Sequence, residues 1–397
     1  MRKILAHAAE KVPYYKEVSQ KAGFCSDNIP QNEVKKFPLL DKDIIRQNLP
    51  KRIIDKQKDI YKIEHTSGSS GVRGDFYIDR NAYSKILATQ LLWWEWAGYR
   101  FGDRIMLTGI TPNRGLVKSV KDILLRTKYI NAFRINSQDI KNNLIPIRGR
   151  QDYFFAGYPS SLFAYAHFAR ENKFNDIKFR SVISWGDKMF AHYRKLVEEQ
   201  FHTQVFDNYG ACEGAMIAGE CEYHSYHIMT PHVFIELLDA DGNEVDPGEM
   251  GEVVVTCLDN FLMPLVRYRI GDLAIRAHPD KKCACGRHLP ILKCIIGRDT
   301  DIIKTRSGKS LIVHFFTGIF EHIKEVEQFQ VIQHTLDDVE ICLIPGPDFT
   351  ESVLGNIKQQ IWEKLNEKID IRFSKVSEVR SSPSGKSQIV ISELEKQ

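Results

Sequence analysis

Apolar residues near the N-terminus recur at the spacing of a helix within a polar background. These residues are Ile4, Leu5 and Ala8. The spacing predicts a helix that ends at Val12-Pro13-Tyr14-Tyr15. Further on, Phe37-Pro38-Leu39-Leu40-Asp41-Lys42 predicts a turn in which Asp41 is the N-cap of the next helix. The first 60 residues are therefore expected to be helical and polar.

From residue 104 to residue 206, short apolar runs alternate with helical patterns. Strands are predicted at residues 104–108, 153–157, 181–185 and 203–206. Helices are predicted between them at residues 159–169 and 190–201. Strands separated by helices of this length favour a mostly parallel sheet that is covered on both faces. Ligands of such sheets bind beyond the carboxyl ends of the strands, where we expect the loops 184–187 and 207–213.

The pattern becomes that of antiparallel strands near residue 230, and it changes again in the last hundred residues. Around the tight turn Asp241-Gly242, alternation over residues 233–238 and 251–258 predicts a small β-barrel or a flanking sheet. In the last hundred residues, strands are predicted at residues 327–333, 339–344 and 370–373. A helix between them has an apolar stripe formed by Val353, Leu354, Ile357, Ile361 and Leu365. This pattern predicts a small α+β unit.

The segment Gly297-Arg298-Asp299-Thr300-Asp301 connects this small unit to the rest of the chain. The sequence thus predicts an α/β fold with two domains. The N-terminal domain, residues 1–297, has several subdomains, mostly parallel sheets and a small β-barrel-like part. The C-terminal α+β domain comprises residues 298–397.

Composition limits the classes of protein that this chain can represent. Its 397 residues, of which 43% are hydrophobic, suit two or three domains with large cores. The 55 Lys and Arg residues against 51 Asp and Glu residues give a net charge of +4, too small and too dispersed to favour a nucleic acid or an anionic membrane as the main partner. No apolar run is long enough to cross a bilayer, and Glu10 and Lys11 come too early for a signal peptide. We therefore expect a cytoplasmic protein.

The eight cysteines point to thiols or metal ligands, because disulfides are rare in the cytosol. Six of them lie between Cys212 and Cys294. One imidazole and three sulfurs of this region form a candidate set for structural Zn²⁺, with all four tetrahedral positions filled by protein. The set consists of Cys221, His227, Cys283 and Cys285. Buried free thiols remain the alternative.

A loop of hydroxyl residues and glycines, His65-Thr66-Ser67-Gly68-Ser69-Ser70-Gly71, precedes an alternating run that contains Phe76 and Ile78. Small residues let a backbone approach a ligand closely, and N–H and O–H donors suit phosphate oxygens. The loop lacks the Gly-Lys-Ser/Thr ending of a P-loop, which disfavours a phosphate-loop NTPase or kinase. Its composition alone is also compatible with an ordinary surface turn.

Four later stretches are informative because of the order in which they occur along the chain. Asn208-Tyr209-Gly210-Ala211-Cys212-Glu213 offers a ring for a base and a carboxylate for a metal, and Arg267-Tyr268-Arg269-Ile270-Gly271-Asp272 offers an acid for ribose hydroxyls. Arg298 follows Gly297, and Lys386 follows Gly385. With the hydroxyl-rich loop, this order resembles the adenylate-forming superfamily of acyl-CoA synthetases, and within it the phenylacetate-CoA ligase and CapK-like branch. The resemblance extends over residues 7–390.

Further stretches are similar to the same branch. They are Val12-Pro13-Tyr14-Tyr15, Phe37-Pro38-Leu39-Leu40-Asp41-Lys42, Gly157-Tyr158-Pro159-Ser160-Ser161 and Cys283-Ala284-Cys285-Gly286-Arg287. Some phenylacetate-CoA ligase-like proteins carry zinc at positions that match the cysteine and histidine set, so the resemblance also favours the metal interpretation.

The resemblance implies an AMP-forming acid–thiol ligase. Such an enzyme uses ATP and Mg²⁺ to convert a small organic carboxylic acid to an acyl-adenylate with release of pyrophosphate. The acyl group then passes to a thiol, with coenzyme A as the expected acceptor. Transfer to a carrier-protein thiol or an amine is one alternative, and a non-catalytic, zinc-stabilised nucleotide-binding scaffold is another. A scaffold has no need of both Glu213 and Lys386. A homodimer is compatible with the sequence.

The resemblance also implies roles for individual residues. The phosphate loop would consist of Thr66, Ser67, Gly68, Ser69, Ser70 and Gly71, with Thr66 in a catalytic role. The adenine region would consist of Trp185, Gly186, Asp187, Asp207, Asn208, Tyr209 and Gly210, with Tyr209 stacked on the base. Glu213 would ligate Mg²⁺, Asp272 would bind the ribose, and Arg298 would reach the nucleotide. Lys386 would bridge the substrate carboxylate and the α-phosphate.

In this superfamily the small C-terminal domain rotates between the two steps. The family usually places Asp or Lys at the hinge, whereas this chain has Thr300 between Asp299 and Asp301. The segment Ser307-Gly308-Lys309-Ser310 differs from the usual Gly-rich stretch. Neighbours of the acid pocket are expected to include Trp93, Trp94, Tyr158, Trp185 and Ala211. On a helix predicted over residues 82–96, the tryptophans are expected to form core or pocket wall rather than a cation cage.

Overall fold

The structure is a computed structural model that describes residues 1–23, 31–66, 74–109, 115–132, 137–211, 213–298, 302–307, 310–320, 323, 325–365, 367–380 and 388–394. The chain divides into two units. The first consists of Met1–Ile270 and Ile275–Cys294, and the second consists of Gly271–Ala274 and Ile295–Gln397. The predicted domain boundary between residues 297 and 298 lies in the same strand as this division and stays a prediction.

The α-helices are α1 (Arg2–Lys11), α2 (Pro13–Lys21), α3 (Lys42–Asn48), α4 (Arg80–Trp96), α5 (Gly115–Leu124), α6 (Ser137–Leu144), α7 (Pro159–Glu171), α8 (Ala191–Phe201), α9 (Val313–Phe320) and α10 (Ser352–Leu365). Short 3₁₀-helices span Gln31–Lys36 and Ile145–Ile147. The strands are β1 (Lys62–Thr66), β2 (Gly74–Ile78), β3 (Arg104–Gly109), β4 (Thr127–Asn131), β5 (Tyr153–Gly157), β6 (Val182–Trp185), β7 (Val205–Ala211), β8 (Ala215–Glu220), β9 (Tyr226–Ile228), β10 (Val233–Leu238), β11 (Met250–Cys257), β12 (Tyr268–Arg276), β13 (Ile291–Arg298), β14 (Ile302–Lys304), β15 (Ser310–Ile312), β16 (Val326–Gln333), β17 (Asp338–Pro345), β18 (Asp370–Lys375) and β19 (Val390–Ser392).

Val12 separates the first two helices. It follows the last residue of α1 and precedes Pro13, which is the first residue of α2. Proline is well tolerated at that position because the N–H it lacks has no partner inside the helix. The predicted end of the first helix is confirmed, although the same segment also begins a second one. Asp41 caps α3 as predicted, since its Oδ1 accepts a hydrogen bond from the backbone N–H of Ile44 at 2.8 Å.

Parallel strands form one part of an eleven-stranded sheet with the order β10-β11-β12-β13-β9-β8-β7-β6-β5-β3-β4. The pairs β7–β6, β6–β5, β5–β3 and β3–β4 are all parallel. Phe155 packs on one face in a cluster with Leu162 of α7 and Val197 of α8. Phe154 packs on the other face, in a cluster with Trp94 of α4. The predicted parallel sheet with two covered faces is therefore confirmed.

The antiparallel strands continue the same sheet. β7 pairs in antiparallel register with β8, β8 with β9, and β10 with β11. The segment predicted as a loop at residues 207–213 is thus largely strand, because β7 runs on to Ala211 and turns directly into β8. The prediction of a loop there was wrong, since a strand that changes partner from parallel to antiparallel leaves no signature in its own sequence.

The second unit contains a four-stranded sheet with the order β18-β17-β16-β19. β16 and β17 pair in antiparallel register, whereas β18 and β19 are parallel to their neighbours. On α10 the predicted stripe is buried at Val353, Ile357, Ile361 and Leu365. The predicted α+β unit is confirmed. No helix in the described part of the chain combines the length and the apolar character that crossing a membrane requires.

Candidate active site

The predicted phosphate loop connects two antiparallel strands. Thr66, the last residue of β1, pairs with Gly74, the first residue of β2. Phe76 and Ile78 of β2 are buried, as the alternating pattern predicted. The intervening loop residues of the prediction lie outside the described part of the chain. These are Ser67, Gly68, Ser69, Ser70 and Gly71.

Trp185 ends β6 at the carboxyl edge of the parallel strands, and Gly186 follows it. The ring of Trp185 stacks on Trp94 with a centroid distance of 5.7 Å and an interplanar angle of 22°. Gly186 has a φ of +80°, and a Cβ atom there would lie 2.7 Å from the ring of Tyr158. This position therefore requires glycine both for its backbone conformation and for the close approach of the tyrosine ring. Asp187 follows and accepts a hydrogen bond from the backbone N–H of Lys188 at 2.9 Å.

Asp207 is buried, and its carboxylate is engaged by protein groups. Ser184 donates a hydrogen bond to Asp207 Oδ1, and Tyr226 donates one to Oδ2 at 2.7 Å. Burial raises the pKa of Asp207 to about 6, and the negative charge of Glu220 acts in the same direction. Asp207 is therefore part of a buried network behind the predicted adenine region, and its contacts position β7.

Glu220 completes this network from the neighbouring strand. It accepts hydrogen bonds from Arg194 on both carboxylate oxygens, each at 2.8 Å, and from the backbone N–H of Asp207 at 2.8 Å. Burial opposes the ionisation of Glu220, but its hydrogen bonds with His224 and Arg194 and the charge of Arg194 hold its pKa below the usual value. A buried carboxylate paired with arginine in this two-fold geometry is strongly oriented.

The rest of the predicted adenine region lies on the same strand. Asn208 and Tyr209 are each only 8% exposed, and Asn208 Nδ2 donates to the carbonyl of Ser184 at 3.3 Å. Gly210 is exposed, and Ala211 ends the strand. Cys212 lies outside the described residues.

Glu213 occupies the tight turn between β7 and β8 and is 6% exposed. Tyr268 donates a hydrogen bond to Glu213 Oε1 at 3.0 Å, and Lys42 Nζ lies 3.9 Å from the same oxygen. The backbone joins these motifs as well: Leu40 N–H donates to the carbonyl of Arg267 at 2.9 Å. Three stretches that are far apart in the sequence therefore converge on one carboxylate.

A pocket with an empty volume of about 390 Å³ lies beside Glu213. Its apolar wall includes Ile78 and Met216, and its polar wall includes His232 and Asp259. Asp259 accepts hydrogen bonds from His232 and from Lys85. His232 and Asp259 were not predicted as site residues, because neither belongs to a recognisable sequence motif.

The remaining predicted nucleotide residues belong to the second unit. Asp272 lies in β12, and Arg298 is the last residue of β13. The side chain of Arg298, the hinge residues 299–301 and Lys386 lie outside the described part of the chain.

Gln330 holds both ends of the segment that contains Lys386. It is fully buried on β16, and its side-chain amide donates to the carbonyls of Arg380 at 2.8 Å and Gln388 at 2.7 Å. Its Oε1 accepts from the backbone N–H of Arg380 at 3.1 Å. A strand glutamine gives no sequence signal for such a role, because the contacts join residues 50 or more positions apart.

The four predicted metal ligands lie together. Their ligand atoms are all within 4.8 Å of one another. Cys221 Sγ and Cys283 Sγ are 3.5 Å apart, and Cys285 Sγ is 3.2 Å from His227 Nε2. Two sulfurs on one tetrahedral Zn²⁺ would be about 3.8 Å apart at ordinary Zn–S bond lengths. The arrangement of donor atoms therefore fits a closed zinc site.

Contacts around this cluster orient its side chains. Backbone N–H groups of Tyr223 and Arg287 lie 3.4 Å from Cys221 Sγ and 3.5 Å from Cys285 Sγ, respectively. Cys221 and His227 are fully buried, and the ring of Trp96 packs edge-on against the imidazole. Such outer contacts orient the ligands of a metal site.

Comparison with known proteins relates the chain to one branch of enzymes. Residues 303–393 match the family model of the CapK C-terminal domain. The chain is 23% identical to protein CapK of Staphylococcus aureus, over 96% of this chain and 85% of CapK. It is 24% identical to phenylacetate-coenzyme A ligase of Pseudomonas putida, over 91% of this chain and 85% of the ligase.

Solved structures with a similar fold include 2-hydroxyisobutyryl-CoA ligase in the postadenylation state in complex with R3-HIB-AMP. The TM-score is 0.80 at 18% identity, over 99% of this chain and 88% of the ligase. ATP-bound MatB from Rhodopseudomonas palustris has a TM-score of 0.60 at 14% identity, over 84% of this chain and 68% of MatB. The predicted fold class and the resemblance to the adenylate-forming superfamily are thereby confirmed.

Proposed function

Because the chain is a relative of CapK and of the phenylacetate-CoA ligases, we propose that it is an AMP-forming acid–thiol ligase. It uses ATP to activate a small organic carboxylic acid as an acyl-adenylate, releases pyrophosphate, and passes the acyl group to the thiol of coenzyme A. The observation that carries this proposal is the convergence of Tyr268 and Lys42 on the buried carboxylate of Glu213.

In the first step, an oxygen of the substrate carboxylate attacks the α-phosphorus, and the bond from that phosphorus to pyrophosphate breaks. Two anions must approach each other, so the barrier falls only where cations and oriented donors meet the developing charge. A single well-placed donor is typically worth about 3 kcal/mol. Lys386 and the donors of the phosphate loop fill this role in the proposal. Glu213 would hold Mg²⁺, which would neutralise negative charge on the phosphates.

In the second step, the thiol sulfur attacks the carbonyl carbon of the adenylate. AMP leaves with the electron pair of the former mixed-anhydride bond, and the thiol proton passes to solvent. Rotation of the C-terminal domain around residues 299–301 removes Lys386 between the two steps. Such a rearrangement also keeps water from the adenylate.

Zinc has a structural role in this proposal. Cys221, His227, Cys283 and Cys285 would supply all four ligands of a tetrahedral zinc ion, so that no position would remain for a reactive water. The spacing of the ligand atoms and the hydrogen bonds to the sulfurs support this assignment. None of the described cysteines forms a disulfide, which is in keeping with the cytosolic location that we propose.

A second acceptor is favoured by one observation. The match of residues 303–393 to the CapK C-terminal domain, together with the similarity to CapK over most of the chain, supports transfer to a carrier-protein thiol or to an amine. Adenylation is common to both possibilities. A homodimer is compatible with the proposal, which does not depend on it.

Acid-dependent exchange of labelled pyrophosphate into ATP tests the proposal directly. We expect exchange with at least one member of a panel of aryl and aliphatic acids, followed by acyl transfer when coenzyme A is added. Tight ATP binding without exchange for any acid would overturn adenylation and favour the scaffold. Exchange with no turnover of coenzyme A would favour the second acceptor.

Lys386→Ala tests the catalytic assignment in the C-terminal domain. We expect this variant to lose exchange while it still consumes a presynthesised acyl-adenylate in the presence of coenzyme A. Lys364→Ala, at an exposed position on α10, serves as the matched control and should keep full exchange. Undiminished exchange in Lys386→Ala would show that the role assigned to this lysine is wrong.

Metal analysis tests the zinc assignment. Protein purified without added zinc should contain about one equivalent of zinc per chain, as the one four-ligand set found among the described residues predicts. Protein that contains no metal although all four side chains are intact would favour the alternative, in which the cysteines are buried thiols.

A further inference from the structure

The candidate zinc cluster and the strand of the predicted adenine region are separated by a single strand. β8 lies between β7 and β9 in the sheet. Gly219 of β8 is opposite Asn208 of β7 on one side and His227 of β9 on the other. A zinc ligand and a predicted nucleotide residue therefore lie in the same cross-strand row.

Two residues connect these features by hydrogen bonds. Glu220 directly precedes Cys221, and Tyr226 directly precedes His227. Glu220 accepts from the backbone N–H of Asp207 at 2.8 Å, and Tyr226 donates to the Asp207 carboxylate at 2.7 Å. Glu220 in β8 and Tyr226 in β9 each directly precede a proposed zinc ligand, and both are hydrogen-bonded to Asp207 of β7.

The surroundings give this connection little freedom to adjust. Gly219 lies so close to Trp93 that a Cβ atom would be 2.7 Å from the indole ring. Trp93 is 1% exposed and belongs to the core. Arg194 fixes Glu220 through two hydrogen bonds of 2.8 Å. In a closely packed interior, a shift of one strand is passed to its neighbours.

We propose that metal occupancy of the four-ligand cluster and ATP affinity are coupled, with Tyr226 and Glu220 as the positioning residues. Zinc fixes Cys221 and His227, which fixes the two residues that hold Asp207 and hence the part of β7 that carries Tyr209. The metal-free protein binds ATP more weakly because this strand is less well ordered. The inference rests on the proposed function, which places ATP at this strand and zinc at this cluster.

Coupling of two binding equilibria is reciprocal, so ATP must strengthen zinc binding by the same factor. We expect a factor of about ten, within the usual range for coupled sites. The reciprocity provides a readout that does not depend on enzymatic activity.

The first experiment compares zinc-loaded full-length protein with the same protein stripped by a chelator. ATP binding is measured by titration calorimetry, and circular dichroism checks that the stripped protein remains folded. We expect the dissociation constant of ATP to rise about tenfold on stripping. In competition with a colorimetric chelator, saturating ATP should raise the zinc affinity of the protein by an equal factor.

The second experiment keeps the metal and breaks the connection, so it does not depend on the stability of stripped protein. Tyr226→Phe removes only the hydroxyl that donates to Asp207 and leaves all four zinc ligands in place. We expect full zinc content and weaker ATP binding. Saturating ATP should then leave the zinc affinity nearly unchanged. Tyr223→Phe is the matched control, because this tyrosine is exposed and lies between Cys221 and His227 in the sequence, as Tyr226 does. It should retain the coupling.

The outcomes separate this inference from the function on which it rests. Equal ATP affinity with and without zinc, or full coupling in Tyr226→Phe, would overturn the coupling and leave adenylation standing. A zinc-loaded protein that binds no ATP would overturn both.

Discussion

The hydroxyl of Tyr268 donates a hydrogen bond to Oε1 of Glu213 at 3.0 Å, although the two residues are 55 positions apart in the sequence. Tyr268 is 1% exposed and Glu213 is 6% exposed, so neither group exchanges this partner freely for water. The hydrogen bond occupies one oxygen and fixes the direction of the carboxylate. In the proposal, the carboxylate oriented in this way would hold Mg²⁺.

Tyr268→Phe should impair adenylation through the metal. A hydrogen bond to a charged group contributes about 1.5–3 kcal/mol, so we expect the exchange of pyrophosphate into ATP to slow by about tenfold or more at low Mg²⁺. Raised Mg²⁺ should recover part of the rate. Tyr61→Phe, which alters an exposed tyrosine, should leave the rate unchanged at every Mg²⁺ concentration. A Tyr268→Phe enzyme with unaltered Mg²⁺ dependence would contradict the role assigned to this hydrogen bond.

Gly186→Ala should weaken ATP binding because of the ring of Tyr158. A Cβ atom at this position would lie 2.7 Å from that ring, and the φ of +80° strains any residue with a side chain by about 1–2 kcal/mol. Gly242→Ala is a matched control, because Gly242 has a φ of +82° but no atom within 4 Å of its Cβ position. We expect similar losses of stability from strain in both variants, with an additional loss of ATP affinity in Gly186→Ala alone. Thermal unfolding and calorimetric titration measure the two effects.

Gln330→Leu should reduce both the stability of the C-terminal unit and the rate of adenylation. The change removes the hydrogen bonds from this amide to the carbonyls of Arg380 and Gln388, each of which contributes about 0.5–1.5 kcal/mol. Because these residues flank the segment that contains Lys386, we also expect slower pyrophosphate exchange, with consumption of a presynthesised adenylate less affected.

Gln333→Leu is the control for this prediction. Gln333 is equally buried on β16, but its side-chain amide pairs with the backbone of Lys304. Its Nε2 donates to the Lys304 carbonyl at 2.7 Å, and its Oε1 accepts from the Lys304 N–H at 2.9 Å. It should lose comparable stability and retain more of the exchange rate. Equal loss of exchange in the two variants would indicate a general effect of stability.

His334 should make the stability of the C-terminal unit dependent on pH. Its Nε2 lies 2.9 Å from Glu340 and its Nδ1 lies 2.6 Å from Glu393, and the hydrogen bond with Glu340 is the main cause that raises the pKa of His334 above its usual value. Because the pKa of His334 is raised in the folded state, the charged imidazole stabilises the fold. This stabilisation is complete below the unfolded-state pKa of about 6.5 and is lost as the pH rises through the folded-state pKa. For partly exposed ion pairs this amounts to about 1 kcal/mol or less.

His334→Gln should therefore remove the part of the pH dependence that lies above about pH 6.5. Denaturant unfolding followed at several pH values measures the effect. His278→Gln is a suitable control, since His278 is exposed and belongs to the other unit. An unaltered slope of stability against pH in His334→Gln would contradict the prediction.

The local elements of the fold were predictable because their signals lie in neighbouring residues. The stripe that includes Val353, Ile357 and Ile361 predicted α10, and Asp41 predicted the start of α3. The loop predicted after Phe206 was wrong, because β7 continues as a strand by pairing with β8, and the residues of one strand do not specify its partner.

For the candidate site, the sequence supplied the chemistry and the tertiary structure supplied the relationships. The order of the motifs was enough to predict the resemblance to the adenylate-forming superfamily, and three cysteines with one histidine were enough to suggest zinc. Only the tertiary structure shows that Asp207 belongs to a buried network behind the predicted adenine region. Only the folded chain brought Tyr268 within hydrogen-bond distance of Glu213. Residue types and short spacings are properties of a sequence, whereas contacts over 50 or more positions depend on how strands pair and helices pack, which no local pattern encodes.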